Sequence, residues 1–187
     1  DDQGGLAIAI TQRVGVTTEV PPFLTLCVAT EFVGLDCNSG TNSFVDFGEF
    51  SWTAHAKATS QIIIASNAQY GANLFVIGNT LISGNNVIPA MAVNGPAQTN
   101  VSQFGINLRA NPSEGFGNDP VGPGIVTPSA NYNAPNSFRF NTGELIASSP
   151  GSTNYSKLTV SYLVDVNQNQ SPGIYNSTII YTALASF

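Results

Sequence analysis

Leu158-Thr159-Val160-Ser161-Tyr162-Leu163-Val164-Asp165-Val166 is the stretch on which the fold class turns. Leu158, Val160, Tyr162, Val164 and Val166 fall on one face of an extended chain, while Thr159, Ser161 and Asp165 mostly line the other. Side chains alternate across a strand, so a period of two with one apolar face predicts a strand whose one side is buried. Downstream, the polar run Asn167-Gln168-Asn169-Gln170 leads into Ser171-Pro172-Gly173. Pro followed by Gly suits the central positions of a type II turn, because Gly accepts the positive φ required there. The chain then extends again from about Ile174 to Phe187, with Tyr175, Ile179, Tyr181, Ala183, Ala185 and Phe187 on one face. The expected unit is a long C-terminal antiparallel hairpin.

Upstream, further strands are expected at Phe23–Thr30, Ser43–Phe50, Trp52–Ser66, Leu74–Asn79, Gln103–Ala110, Phe138–Phe140 and Glu144–Ser148. Eighteen glycines and eleven prolines punctuate the chain at short intervals, and no segment carries a convincing helical period. Many short strands without helices predict an all-β single domain, a β-sandwich or jelly-roll-like fold. Between Asn111 and Asn136 lies a stretch rich in Pro, Gly and Asn. It is longer than an ordinary connection, which marks it as functional or mobile and as a place where asparagine oxygens could meet calcium.

The N-terminal segment has a pattern of its own. From Leu6 to Val20 the even positions read Leu6, Ile8, Ile10, Gln12, Val14, Val16, Thr18, Val20, and the odd ones Ala7, Ala9, Thr11, Arg13, Gly15, Thr17, Glu19. Fully extended, these residues span about 50 Å, well beyond a typical strand of five or six residues. Pro21-Pro22 follows and stiffens the chain in an extended form while removing two backbone donors. The organisation expected is an arm at 1–22, ending in a proline hinge, and a sandwich at 23–187. The arm would donate Leu6, Ile8, Ile10, Val14, Val16 and Val20 to a neighbour's sheet edge by strand addition. Such a contact is heterologous and propagates head to tail. Alternatively, Gly15 bends the segment into two ordinary strands of its own sheet, the whole is a bulged edge strand, or it is a disordered tail.

Composition narrows the functional classes. Hydrophobic residues make up 42% of the 187, enough for one domain with a sizeable core, and charged residues only 9%, against roughly 25% in an ordinary soluble domain. The surface must therefore be built largely from Asn, Ser, Thr and Gly. A net charge of −6 with five scattered basic residues argues against nucleic acid and against anionic membrane surfaces. No apolar run reaches the ~20 residues that span a bilayer. Cys27 and Cys37 are expected to form one disulfide in an oxidising compartment, and the opening Asp1-Asp2-Gln3-Gly4-Gly5 resembles a mature terminus left by a signal peptidase. The expected location is extracellular or at the cell surface.

Chemistry is hard to assemble from this inventory. His55 is the single histidine, and its place in Trp52-Thr53-Ala54-His55-Ala56-Lys57 points it toward solvent or a subunit contact. No nucleophile elbow accompanies it. Asp36, Asp46, Glu49, Glu114, Asp119, Glu144 and Asp165 read as loop or surface acids, and no phosphate- or dinucleotide-binding motif is present. The chain is read as a non-enzyme with no cofactor and no metal.

Several stretches resemble secreted all-β surface proteins of Patescibacteria of the Saccharibacteria type. They are Phe104-Gly105-Ile106-Asn107-Leu108-Arg109-Ala110-Asn111, Ser137-Phe138-Arg139-Phe140, Ile146-Ala147-Ser148-Ser149, and Thr159-Val160-Ser161-Tyr162 with Pro172-Gly173-x-Tyr175, Tyr181-Thr182-Ala183 and Phe187. The resemblance spans about 22–187 and implies secretion and a surface location, with no catalytic residues to carry over. The arm before Pro21 is similar in architecture to the donor strands of pilins and TasA-like fibre subunits. The first expectation is a structural subunit of a pilus-like filament whose partner is another copy of itself. The second is a monomeric adhesin or glycan-binding module, using the 111–136 loop and aromatics such as Phe116, Tyr132 or Trp52.

Overall fold

The structure is a computed structural model that describes residues 15–187. Its ten strands are β1 (Leu24–Ala29), β2 (Ala56–Ser66), β3 (Ala72–Gly78), β4 (Ile82–Ser83), β5 (Asn86–Val87), β6 (Gln103–Asn107), β7 (Thr127–Pro128), β8 (Glu144–Ser149), β9 (Thr153–Asp165) and β10 (Ile179–Ala185). Two antiparallel four-stranded sheets, in the orders β1-β2-β9-β6 and β10-β3-β8-β7, face each other, and β4 and β5 form a small separate hairpin. The all-β sandwich expected from the alternating pattern is the observed fold.

The deciding stretch behaves as its period dictates on the inner side. Leu158, Val160 and Val164 are fully buried and pack with Ile62, Ile64, Phe104 and Ile106 of the same sheet against Leu74, Val76 and Ile146 of the other. The opposite face is buried as well: Thr159, Ser161 and Asp165 are all under 5% exposed. Asp165 is enclosed by His55, Gln98 and Gln103, and farther along the strand the long 111–136 segment lies over this outer face. Val121 bridges Lys157 by backbone hydrogen bonds in both directions, and Gly117 lies so close to Ser161 Oγ that no Cβ fits there. The segment is therefore a packed cover.

β9 and β10 are not a hairpin. β9 sits at the centre of one sheet between β2 and β6, while β10 crosses to the other sheet and pairs with β3. Tyr162 and Tyr181 both point into the core, and their hydroxyls meet at 2.6 Å across the sandwich. Two strands whose apolar faces oppose each other in this way belong to different layers. Gly173 does not take a positive φ, so the connection contains no type II turn with Gly173 at its third position. Ser43–Phe50 is irregular instead of a strand, and Phe138–Arg139 is reduced to isolated bridges to Gly95 and Ile106.

One glycine fixes the turn between β2 and β3. Gly71 has φ +84°, and a Cβ there would collide with the Ser149 carbonyl, so both conformation and close approach demand glycine.

Candidate functional site

The arm's exit from the sandwich is held by one side chain. Asn67, just after β2, donates from Nδ2 to the Pro21 carbonyl at 2.9 Å and accepts from the Phe23 N–H on Oδ1 at 2.8 Å. Ser66 Oγ adds a bond to the Phe23 carbonyl at 3.0 Å. Upstream of this clamp, the described residues do not pack on the sandwich. Residues 15–22 are exposed and outside any strand, with Val16 88% and Val20 78% exposed. Of the proposed arm contacts, Val16, Val20, Pro21 and Pro22 are thus solvent-facing, and Leu6, Ile8, Ile10 and Val14 lie outside the described residues.

The sandwich is open on one flank. Among the described residues, β1 and β10 each carry a strand neighbour on one side only. β1 is short: it pairs with Gln61–Ser66 and leaves Ala56–Ser60 of β2 without a neighbour on that side. A cleft of about 930 Å³ opens there between the layers. Its walls come from Val28 and Ala29 at the end of β1, Phe44, Val45, Phe47 and Phe50 of the irregular segment, Tyr162 of β9, and Ile179 and Tyr181 at the start of β10. Phe47 meets Tyr162 edge-on at 6.5 Å, and Phe50 tilts against Tyr175 at 6.5 Å. Tyr162 and Tyr181, joined to each other and to Ser60 Oγ at 2.8 Å, supply hydroxyls to the cleft lining. Burial pushes both phenols above their ordinary value.

Ser43–Phe50 is the unusual wall. Val45 and Phe47 are half-buried against the core while Phe44 and Asp46 face outward, the alternation of a strand. Yet among the described residues it makes no backbone–backbone hydrogen bond. Strand-like side chains without a ladder explain why the pattern reads as a strand in the sequence and is absent from both sheets.

Cys27 and Cys37 form the expected disulfide, with Cα atoms 5.8 Å apart. It ties β1 to a 3-10 turn at Cys37–Ser39, and with Ala29, Phe32 and Ile63 it makes a small second core on the outer side of the sheet.

Most of the charged side chains considered as sites are paired with neighbours, while Ser161 Oγ is buried without a hydrogen-bond partner among the described residues. His55 does not face solvent: Nδ1 lies 2.6 Å from Oδ1 of Asp165, which is 2% exposed and also accepts from Gln103 Nε2 at 2.7 Å and the Gln98 N–H at 3.1 Å. Lys57 Nζ pairs with Glu114 at 3.1 Å. Asp165 is thus a buried acid, where the sequence suggested a surface one. Arg139 and Glu144 pair at 2.5 Å, and Tyr132 donates to the same carboxylate at 2.6 Å. The Arg139 guanidinium, helped by the Tyr132 hydroxyl and the Asn141 amide and opposed by burial, pulls Glu144 down to about 2. Burial, and then the Glu144 carboxylate, push the Tyr132 phenol up.

Three of the 111–136 side chains whose oxygens could meet calcium, Asp119, Asn133 and Asn136, are likewise engaged. Asp119 and Asn133 Oδ1 both hold Arg109, at 2.6 Å each, and Asn136 Oδ1 caps the Ser113 N–H. Among the described residues no three of His, Cys, Asp or Glu gather as for a metal. Of the aromatics named for glycan contact, Tyr132 is buried and Phe116 is stacked on Phe138 at 5.9 Å, leaving Trp52 half-exposed at the cleft rim.

No helix among the described residues is long and apolar enough to cross a membrane. No protein-family profile matches the chain, and no curated protein is significantly similar to it.

Proposed function

We propose that the chain is a structural subunit of an extracellular filament, joined head to tail by donation of its N-terminal segment to a neighbouring copy. The observation that carries this reading is the arm itself. Its apolar even-numbered side chains continue in register from Leu6 to Val20, and the described part, with Val16 and Val20 almost fully exposed, finds no place on its own sandwich. An alternating apolar segment left in water is an association surface waiting for a sheet edge. The disulfide and the charge-poor surface fit an oxidising, extracellular setting.

Removing residues 1–20 tests the proposal. Full-length protein at high concentration forms rods by negative-stain electron microscopy, whereas the truncated protein stays monomeric in light scattering. Rods from the truncated protein, or only monomers from the full chain, refute it. The half-exposed Trp52 at the rim favours a second reading, an adhesin that binds glycan through the cleft; glycan-array binding without any rods would support that instead.

A further inference from the structure

We infer that the cleft between the β1 and β10 edges is the socket for this arm, and that its occupant is residues 6–20 of a second copy. The inference rests on the filament reading above and names the surface that receives the donor.

Three features of the flank converge. Two sheet edges border the cleft, so an entering strand finds backbone partners there. Ser43–Phe50 offers a third run of N–H and C=O groups that, among the described residues, make no backbone–backbone hydrogen bond, and a strand laid beside it can pair with them. Much of the cleft lining is apolar, Val45, Phe47, Phe50 and Ile179 among it, and matches a segment that presents Leu6, Ile8, Ile10, Val14 and Val16 on one side, while Asn167, Gln170 and Asn176 add a polar part of the wall.

The placement of exit and socket selects another copy over the same chain. The arm leaves at the end of the sandwich where Phe23 is clamped to Asn67 and where Ser186 closes on Gly71. The cleft opens at the other end of β1, beside Val28 and Ala29, roughly 17 Å away along the strand. To fill its own cleft the arm would have to reverse direction at once. Val20 and Pro21 each precede a proline, which drives both toward extended conformations, and the two prolines supply no N–H for a tight turn. An arm directed away from one end and a socket at the other give a contact that repeats without closing.

Mixing variants of the full-length protein that each carry one added cysteine, with the Cys27–Cys37 disulfide intact, tests the assignment. Ile8→Cys, Ile10→Cys and Val14→Cys provide donors in three registers, Val45→Cys marks the cleft, and Thr182→Cys marks the outer face of the second sheet as control. Rods are confirmed for each mixture before mild oxidation and non-reducing electrophoresis. The expected result is a cross-linked dimer between Val45→Cys and at least one donor, exceeding the Thr182→Cys pairs about tenfold because docking raises effective concentration. Rods that cross-link through Thr182→Cys, or show no excess at Val45→Cys in any register, overturn the socket while leaving the filament standing. Absence of rods from the unmodified protein removes the filament reading and the socket with it.

Discussion

Replacing Asp165 by alanine is expected to destabilise the sandwich by about 2–4 kcal/mol, because three donors lose one acceptor. Gln103 is itself buried, and a buried donor left without a partner costs about 1–3 kcal/mol. His55 keeps 21% of its side chain exposed and Gln98 is exposed, so both recover part of their loss by turning to water. For a domain of this size each kcal/mol lowers Tm by about 2–4 °C, so the midpoint should fall by roughly 5–15 °C. Calorimetry or thermal circular dichroism reads this directly. Asp165→Asn, which retains one oxygen, should fall between the two. Adding His55→Ala to Asp165→Ala should cost less than the sum of the single changes, since the two side chains act on each other. A shift within 1 °C for Asp165→Ala, or strict additivity with His55→Ala, would show that the buried carboxylate does not organise this end of β9.

Other consequences follow from the same geometry. Glu144 is held at about 2 against an ordinary 4.5. Its contribution is therefore complete above pH 4.5 and is lost as pH falls toward 2. The full difference corresponds to about 3 kcal/mol, and partial exposure reduces this to about 1–2 kcal/mol. Urea titrations should show that Glu144→Gln removes this much at pH 7 and flattens the acid limb, whereas an unchanged pH profile would refute the Arg139 pairing. Reducing the disulfide, or Cys27→Ser with Cys37→Ser, should lower stability by about 2.5–3 kcal/mol for a loop this short, measured as a lower urea midpoint. Gly71→Ala should cost more than about 2 kcal/mol through its positive φ and the Ser149 carbonyl; a neutral result would mean that the β2–β3 turn relaxes freely.

The sequence disclosed whatever depends on alternation along a single strand. The inner faces of β9 and β10 were legible because Leu158, Val160, Ile179 and Tyr181 repeat every second residue. The disulfide was legible because two cysteines offer one pairing. Partnership between strands was not. β10 shows the same period whether it pairs with β9 or faces it, and only the meeting of Tyr162 and Tyr181 across the core separates the two. Burial of Asp165 was hidden because a polar face reads as solvent-facing until distant residues, here His55, Gln98 and Gln103, are brought onto it. Ser43–Phe50 shows the converse limit, with side chains of a strand and none of its hydrogen bonds. Of the candidate site, the arm was visible and the socket was not, since the socket is assembled from the ends of four separate elements.

The most direct measurement is a helical reconstruction, by electron cryomicroscopy, of filaments grown from the full-length protein. The expected density is an extended chain, residues 6–20, running between β1 and β10 of the next subunit with its even-numbered side chains against Phe47 and Ile179. Density that traces the same residues back into the sandwich they belong to, with every cleft closed to its neighbour, would contradict strand donation.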